Sequence, residues 1–369
     1  MPVDPSAAPL HIVEPTLVSE AGHCHMLLHS LRAAAPALRF ELWAGREWSS
    51  RAGAAVPWSD TTVHRHFSRR WRRLQALWLY RRLLRGGEPF LVPTAGRFDL
   101  EAIRRVAPGP VPPNRVFLYF HKLSLSPSKE AALRRVAQSQ PELVTLGTTE
   151  IIESRLQSLG FRNTGVMLPL PPRPGPAARP QPFRRIVVAG AARADKGFAH
   201  VVDLIERLAA GAAGSPGWPI AVQLSGDHYA RHDPVTRAAL QRLAAVQYPP
   251  LQRLPQTLPS DDFLTLFDGA LCLQPYEPSE YADKVSAVTL DALNAAAPIV
   301  TVEGTWMAAI ARRHGCGVVA PTTSADDLLA AIRTALERYP ELAEAAARAA
   351  ARFASQENWA PLLRRLQAG

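Results

Sequence analysis

The sequence predicts an α/β protein built from two parallel-sheet domains, and three observations predict it. Short apolar runs alternate with helical stretches along nearly all of the 369 residues. The alternation runs through twice, and the two series are separated by PLPPRPGPAARPQP at 169–182, whose seven prolines continue neither a helix nor a central strand. Hydrophobic residues make up 47% and charged residues 20%, a balance that supports a sizeable core and excludes a disordered chain.

In the first series, Leu10–Val13, Arg39–Trp43, Phe90–Val92, Val116–Phe120 and Leu143–Leu146 are apolar enough for buried strands. Helical periodicity fills the gaps at about 22–35, 66–85, 98–106, 128–138 and 149–159. The first domain is therefore expected at 1–168 and a semi-rigid linker at 169–183. A second domain at 184–354 opens with the strand RRIVVAG and the helix FAHVVDLIERLAA, then IAVQLSG, a helix near 234–245 and a strand at Gln252–Leu254. DDFLTLFDG, ALCLQPY, VSAVTLDALNAA, PIVTV, TWMAAIARRHG and GVVAP continue the same rhythm. In such sheets ligands sit beyond the carboxyl ends of strands, which is where chemistry is sought.

Cys24, Cys272 and Cys316 are too few and scattered for a disulfide framework, and the opening MPVDPSAAPLHIVEP lacks the pattern of a signal peptide. No run approaches the ~20 apolar residues of a membrane span. The expected location is cytoplasmic. The formal charge of +10 is uneven, because VHRHFSRRWRRLQALWLYRRLLRGG at 63–87 holds eight arginines and no acid. Phe67, Trp71, Leu74 and Trp78 fall at helical spacing beside Arg65, Arg69, Arg70, Arg72, Arg73, Arg81, Arg82 and Arg85, which predicts a basic amphipathic helix. Such a helix suits an anionic membrane surface or an acceptor surface, carried by Arg69, Arg70, Trp71, Arg72, Arg73 and Trp78. A domain helix whose apolar stripe is core is the alternative. No nucleic-acid-binding motif accompanies the charge, so nucleic acid is not an expected partner.

Two loops carry the chemistry. In VVAGAARADKGF a strand ends at Gly190, a small-residue loop holds Arg193 and Lys196, and Gly197 opens a helix. Two cations at a strand end suit a diphosphate, Lys196 as a point charge and Arg193 as a two-pronged donor. In LQPYEPSEYADKVSAVTLDAL a strand ends at Pro275-Tyr276, and a loop with Tyr281, Asp283 and Lys284 leads to a helix expected to begin near Val285. The amides of Val285, Ser286 and Ala287 then make an anion site, and Asp291 is a candidate for ribose hydroxyls.

These residues resemble the retaining "group 1" glycosyltransferases of GT-B fold, over nearly the whole chain. The loop from Gly190 to Phe198 is similar to the family's basic loop after the first strand of the second domain. Pro275 to Asp291 resembles its acid-seven-residues-acid region, with aspartates where glutamates are usual, and Thr305-Trp306-Met307-Ala308 matches one subgroup. In the first half, Ser19-Glu20-Ala21-Gly22-His23 resembles the family's glycine loop, and His121 ends a strand where the family often places a sugar-contacting histidine. The tail SQENWAPLLRRL resembles the last helix, which returns to the first domain at about 355–369.

The resemblance implies two Rossmann-like domains facing across a cleft, the first binding the acceptor and the second a nucleoside-diphosphate sugar. It implies a metal-independent hexosyl-type transferase acting with retention, in bacterial polysaccharide or glycoconjugate synthesis. His121, Asp283 and Lys196 would be catalytic. Gly22, His23, Gly190, Arg193, Lys196, Gly197, Lys284, Val285, Ser286, Ala287 and Asp291 would hold the donor. The acceptor would be a sugar, a lipid-linked sugar or another glycoconjugate. Ala191 stands where the family carries a basic residue, so a nucleotide-sugar-binding protein without turnover stays open, as does an epimerase of the same fold. His25 and His29, like His228 and His232, lie four apart without a third ligand, and Asp261–Asp262 and Asp326–Asp327 open helices as capping acids, so no metal or cofactor is expected.

Overall fold

The computed structural model describes residues 8–18, 23–48, 61–123, 125–168, 179–211, 217–226, 232–256, 258, 260–354 and 359–367. The chain divides into two units, Met1–Pro172 with Phe353–Gly369, and Arg173–Arg352. The first unit holds β1 (Leu10–Val13), α1 (His23–Ala34), β2 (Phe40–Gly45), β3 (Thr62–Phe67), α2 (Arg72–Gly86), β4 (Phe90–Val92), α3 (Arg97–Val106), β5 (Val116–Phe120), α4 (Pro127–Ser139), β6 (Val144–Gly147), α5 (Glu150–Ser158) and β7 (Asn163–Val166). Its seven strands are all parallel in the order β3-β2-β1-β4-β5-β6-β7.

Alternation along β5 shows how the two faces are filled. Val116, Leu118 and Phe120 join one apolar cluster with α2, α3, α4 and α5, while Phe117 and Tyr119 join the other with α1. Two edge strands, β3 and β7, are absent from the sequence reading, which began a helix at 66. β3 carries TVHRHF and is largely accessible, so it lacks the apolar run that marks a buried strand, and its charge suits an unpaired edge.

The second unit holds β8 (Arg185–Val188), a 3-10 turn (Ala194–Lys196), α6 (Phe198–Ala209), β9 (Ile220–Gln223), α7 (Pro234–Ala245), β10 (Leu251–Leu254), α8 (Ser260–Thr265), β11 (Ala270–Gln274), α9 (Pro278–Tyr281), α10 (Ala287–Asn294), β12 (Ile299–Val302), α11 (Trp306–His314), β13 (Gly317–Ala320), α12 (Ala325–Glu337) and all but the last two residues of α13 (Tyr339–Ala354). Its six parallel strands run β10-β9-β8-β11-β12-β13. In both sheets the order reverses beside the first strand, so the switch points lie between β1 and β4 and between β8 and β11. Ser324, rather than Asp326 or Asp327, caps α12 by accepting from the Asp327 amide at 3.2 Å.

The last helix, α14 (Ala360–Gln367), packs in the first unit. Trp359 just before it is 2% exposed and its indole donates to Ser30 Oγ on α1 at 3.1 Å, while Arg365 reaches the Thr164 carbonyl on β7. Among the described residues no helix is long and apolar enough to cross a membrane.

One buried carboxylate holds α2 to α3. Tyr80 Oη donates to Asp99 at 2.7 Å, the Gly96 amide donates to the other oxygen at 2.8 Å, and burial raises the Asp99 pKa. Tyr80→Phe therefore removes a donor from a buried acceptor and is expected to cost about 1–3 kcal/mol, checked by urea denaturation.

Candidate functional site

At the switch point of the second sheet, the loops after β8 and β11 approach each other closely. The Glu277 amide donates to the Asp195 carbonyl at 3.1 Å, and His200 Nε2 lies 3.0 Å from a Glu277 oxygen. Gly197 has φ +65, and a Cβ there would overlap the Pro275 carbonyl, meeting its carbon at 2.8 Å. A side chain at 197 would force the two loops apart, which is the physical reason for glycine.

Lys196 ends the 3-10 turn, and Gly197 starts α6 rather than Lys196 lying on it. The Lys196 ammonium sits 5.7 Å from the Tyr276 ring centroid and 2.5 Å from where a Gly190 Cβ would stand. Gly190, at φ +87, also faces Val288 of α10, with its own amide held by Gln223 Oε1 at 2.7 Å. A strand end without a side chain, a cation and the first turn of a helix thus converge. Tyr276 is 2% exposed, and its hydroxyl makes no close hydrogen bond but lies within the electrostatic reach of the Ser286 and Gln274 side chains.

Burial brings the Lys196 pKa down to about 8, helped by Arg193 and Lys284 and opposed by Asp195. Asp195 connects the remaining cations. Arg193 binds it with Nε at 2.7 Å and with its terminal nitrogen, and Lys284 Nζ lies 3.6 Å away while also covering the Tyr281 ring at 4.6 Å. Burial works to raise the Asp195 pKa, but the Arg193 bonds and the surrounding cations win and hold it below the usual range. Burial and the Asp195 charge push the Tyr281 phenol up to about 12.

Helix α10 begins two residues later than expected. Ser286 is its N-cap and accepts from the Thr289 amide at 3.3 Å and from Gln274 Nε2 at 3.4 Å, while Thr289 Oγ1 donates to Gln274 Oε1 at 2.9 Å. The correction follows from Ser286 itself, a strong capping residue with extended backbone, which leaves Val285 outside the helix. The free first-turn amides are those of Ala287 and Val288. Asp283 and Asp291 are partly exposed.

Lys196, Arg193, Gly190, Gly197, Lys284, Val285, Ser286, Ala287, Asp283 and Asp291 all lie in the second unit. In the first unit, His121 follows β5, donates from Nε2 to the Pro93 carbonyl after β4 at 3.0 Å and meets the edge of the Tyr119 ring. Gly22, Ser19-Glu20-Ala21, His228 and residues 169–178 of the linker lie outside the described residues, as does the side chain of His23.

Sequence reasoning missed Asp195, Tyr276, Gln223 and Glu14. Glu14 follows β1 fully buried, accepting from the Thr16 amide at 3.1 Å and from Thr94 Oγ1 at 2.6 Å. A signal existed for Asp195, between two cations in Arg-Ala-Asp-Lys. None existed for Gln223, which acts from a neighbouring strand. Among the described residues no group of three or more His, Cys, Asp or Glu could hold a metal ion.

No family model and no curated protein matches the chain. Solved structures do. A trehalose-6-phosphate synthase, OtsA, is similar at TM-score 0.66 with 13% identity, over 97% of this chain and 99% of that one. A glycosyltransferase from Rickettsia africae gives 0.65 with 11% identity over 98% and 97%. Anabaena Alr3699/HepE, solved in complex with UDP, gives 0.63 with 11% identity over 98% of both chains. These neighbours are GT-B glycosyltransferases, and the chain has the GT-B fold of two Rossmann-like parallel-sheet domains.

An anion bound beside Lys196 favours its charged form, whereas the free protein loses that proton near pH 8. Affinity for an anion held at Lys196 is therefore expected to be full below about pH 8 and to fall by up to about tenfold per unit above it, with proton uptake on binding. Calorimetry in two buffers of different ionisation enthalpy checks both.

Proposed function

We propose that the protein transfers a sugar from a nucleoside-diphosphate donor, a UDP-sugar first, to a sugar or glycoconjugate acceptor. The observation that carries this is the convergence of Lys196, Gly190, the buried Tyr276 ring and the first turn of α10 at one switch point of a GT-B fold. UDP is favoured because structural neighbours were solved with UDP and with UDP-2-fluoro glucose.

Breaking the bond between the anomeric carbon and the diphosphate oxygen leaves positive charge on the sugar and negative charge on the leaving group. Lys196, Lys284, Arg193 and the α10 amides are fixed before reaction, so they stabilise that charge without reorganising. Because the Asp195 carboxylate already draws in Arg193 and Lys284, donor binding has these two exchange one anion for another. Lys196 then supplies the uncompensated charge. Asp283 lies on the loop leading to α10 as a residue for the sugar, Asp291 one for the ribose, and His121 one that positions the transferred sugar. No metal takes part in this scheme, and the anomeric configuration is retained.

A second reading, donor binding without turnover, is favoured by Ala191 and by the engagement of Arg193 with Asp195. Thermal unfolding with UDP, ADP and GDP and their glucose conjugates tests binding. A ligand at ~100 times its Kd stabilises by about 2.7 kcal/mol. One base is expected to act alone, and no shift with any base overturns the proposal. Release of labelled sugar from the matching donor separates transferase from binding protein.

A further inference from the structure

The first unit carries a surface that the donor site does not use. The expected apolar stripe of Phe67, Trp71, Leu74 and Trp78 does not exist as one face. Phe67 ends β3 and is buried, whereas α2 packs inward through Ala76, Leu79, Tyr80 and Leu83. Trp71, Leu74 and Trp78 point the other way, 53%, 59% and 56% exposed. Large apolar side chains at this spacing form a continuous stripe along the outer side of the helix.

Around the stripe stand Arg69, Arg70, Arg72, Arg73, Arg81, Arg82 and Arg85, all exposed. No acid among the described residues pairs with any of them. Several lie on aromatic rings instead: Arg70 is 5.4 Å from the Trp71 ring, Arg73 5.7 Å from Phe98, and Arg82 5.2 Å from Trp43 and 5.9 Å from Trp78. Trp78 also stacks on His66 with ring centroids 5.8 Å apart, yet stays 56% exposed.

The placement works against helix stability. Arg69, Arg70, Arg72 and Arg73 gather at the N-terminal, positive end of α2, with no acid in its first turn and no side-chain cap at Trp71. Folding alone favours acids there. A surface that exposes tryptophan and leucine among unpaired arginines matches an anionic, partly apolar partner. Duplex nucleic acid offers the charge but no apolar layer for the stripe, whereas a bilayer interface offers both.

We propose that the outer face of α2 docks the protein on an anionic lipid bilayer, with Trp71, Leu74 and Trp78 in the interface and the arginines against the headgroups. The proposal is independent of the donor reading, since every residue in it belongs to the first unit.

The test is co-sedimentation of the full chain with vesicles of phosphatidylcholine alone and with about a third phosphatidylglycerol, at about 0.1 M and about 1 M salt, between which the screening length falls from ~10 Å to ~3 Å. Binding is expected to the anionic vesicles only, and to weaken strongly at the higher salt. The variant R69Q/R70Q/R72Q/R73Q is expected to lower partitioning by about 100-fold or more. Trp71→Ser with Leu74→Ser, which leaves all charges in place, is expected to lower it by about tenfold or more. Both sets of side chains are exposed, so melting temperatures near wild type show that the fold is kept. Equal binding to neutral and anionic vesicles, binding unchanged in both variants, or no binding to either vesicle overturns the proposal. Capture of duplex DNA or RNA without vesicle binding overturns it too and assigns the arginines to nucleic acid.

Discussion

Lys196→Met is expected to cut the nucleotide-dependent thermal shift by about half or more while raising the melting temperature of the free protein. The two effects share one cause. In the folded chain the ammonium is largely buried beside Arg193, Lys284 and Tyr276, and its pKa falls from the ordinary lysine value of about 10.5 to about 8. The unfolded chain therefore binds the proton more tightly, so stability rises with pH between about 8 and 10.5, and at neutral pH the charge opposes folding. Methionine keeps the apolar stem and deletes the charge. A charge-assisted contact to phosphate contributes about 1.5–3 kcal/mol, so nucleotide affinity falls about 10- to 150-fold. Turnover falls further, by about 100-fold or more, because the lost charge counts most when the leaving group carries its full negative charge. Calorimetric Kd and melting curves read both parts. A variant that is less stable than wild type and still binds the nucleotide would remove Lys196 from the site.

Gly197→Ala carries the largest expected loss of stability. The new methyl would collide with the Pro275 carbonyl, backbone against backbone, on a residue held at φ +65. Neither loop can retreat cheaply, since the Glu277 amide is bonded to the Asp195 carbonyl. A cost of about 3 kcal/mol or more is expected, along with loss of nucleotide binding. Gly211→Ala is the control. Its φ is +72 but nothing lies within 4 Å of the added carbon, so the left-handed backbone alone should cost about 1–2 kcal/mol. Urea denaturation of the two variants side by side separates collision from conformation.

Much of the fold was legible because its central strands are buried on both sides. VFLYF and ALCLQ stand out as apolar runs, and the structure makes them β5 and β11, central in their sheets. The edge strands β3 and β7 were illegible for the converse reason, since a strand with one partner and an open side needs no apolar run. The start of α10 lies two residues beyond the helical pattern, which Lys284 and Val285 extend, because Ser286 accepts from the Thr289 amide and caps the helix there. The stripe on α2 was drawn from spacing alone. Spacing says that Trp71, Leu74 and Trp78 share a side, and the packing of Leu79, Tyr80 and Leu83 against the sheet says that this side is the outer one.

The candidate site divides in the same way. Lys196, Arg193 and Lys284 were visible because this chain has only four lysines and because they follow strand ends. That Asp195 binds two of these cations, that the buried Tyr276 ring lies beside Lys196 and that Gln223 holds the Gly190 amide depend on strands far apart in sequence lying side by side. By itself the sequence determined the alternation of strand and helix, the two-fold division of the chain and the positions of its few lysines, because burial periodicity and residue chemistry are local properties. Only the tertiary structure decided which cations are paired, which polar groups are buried and which side of α2 faces outward, because those follow from the strand order about each switch point and from which helix face the sheet covers.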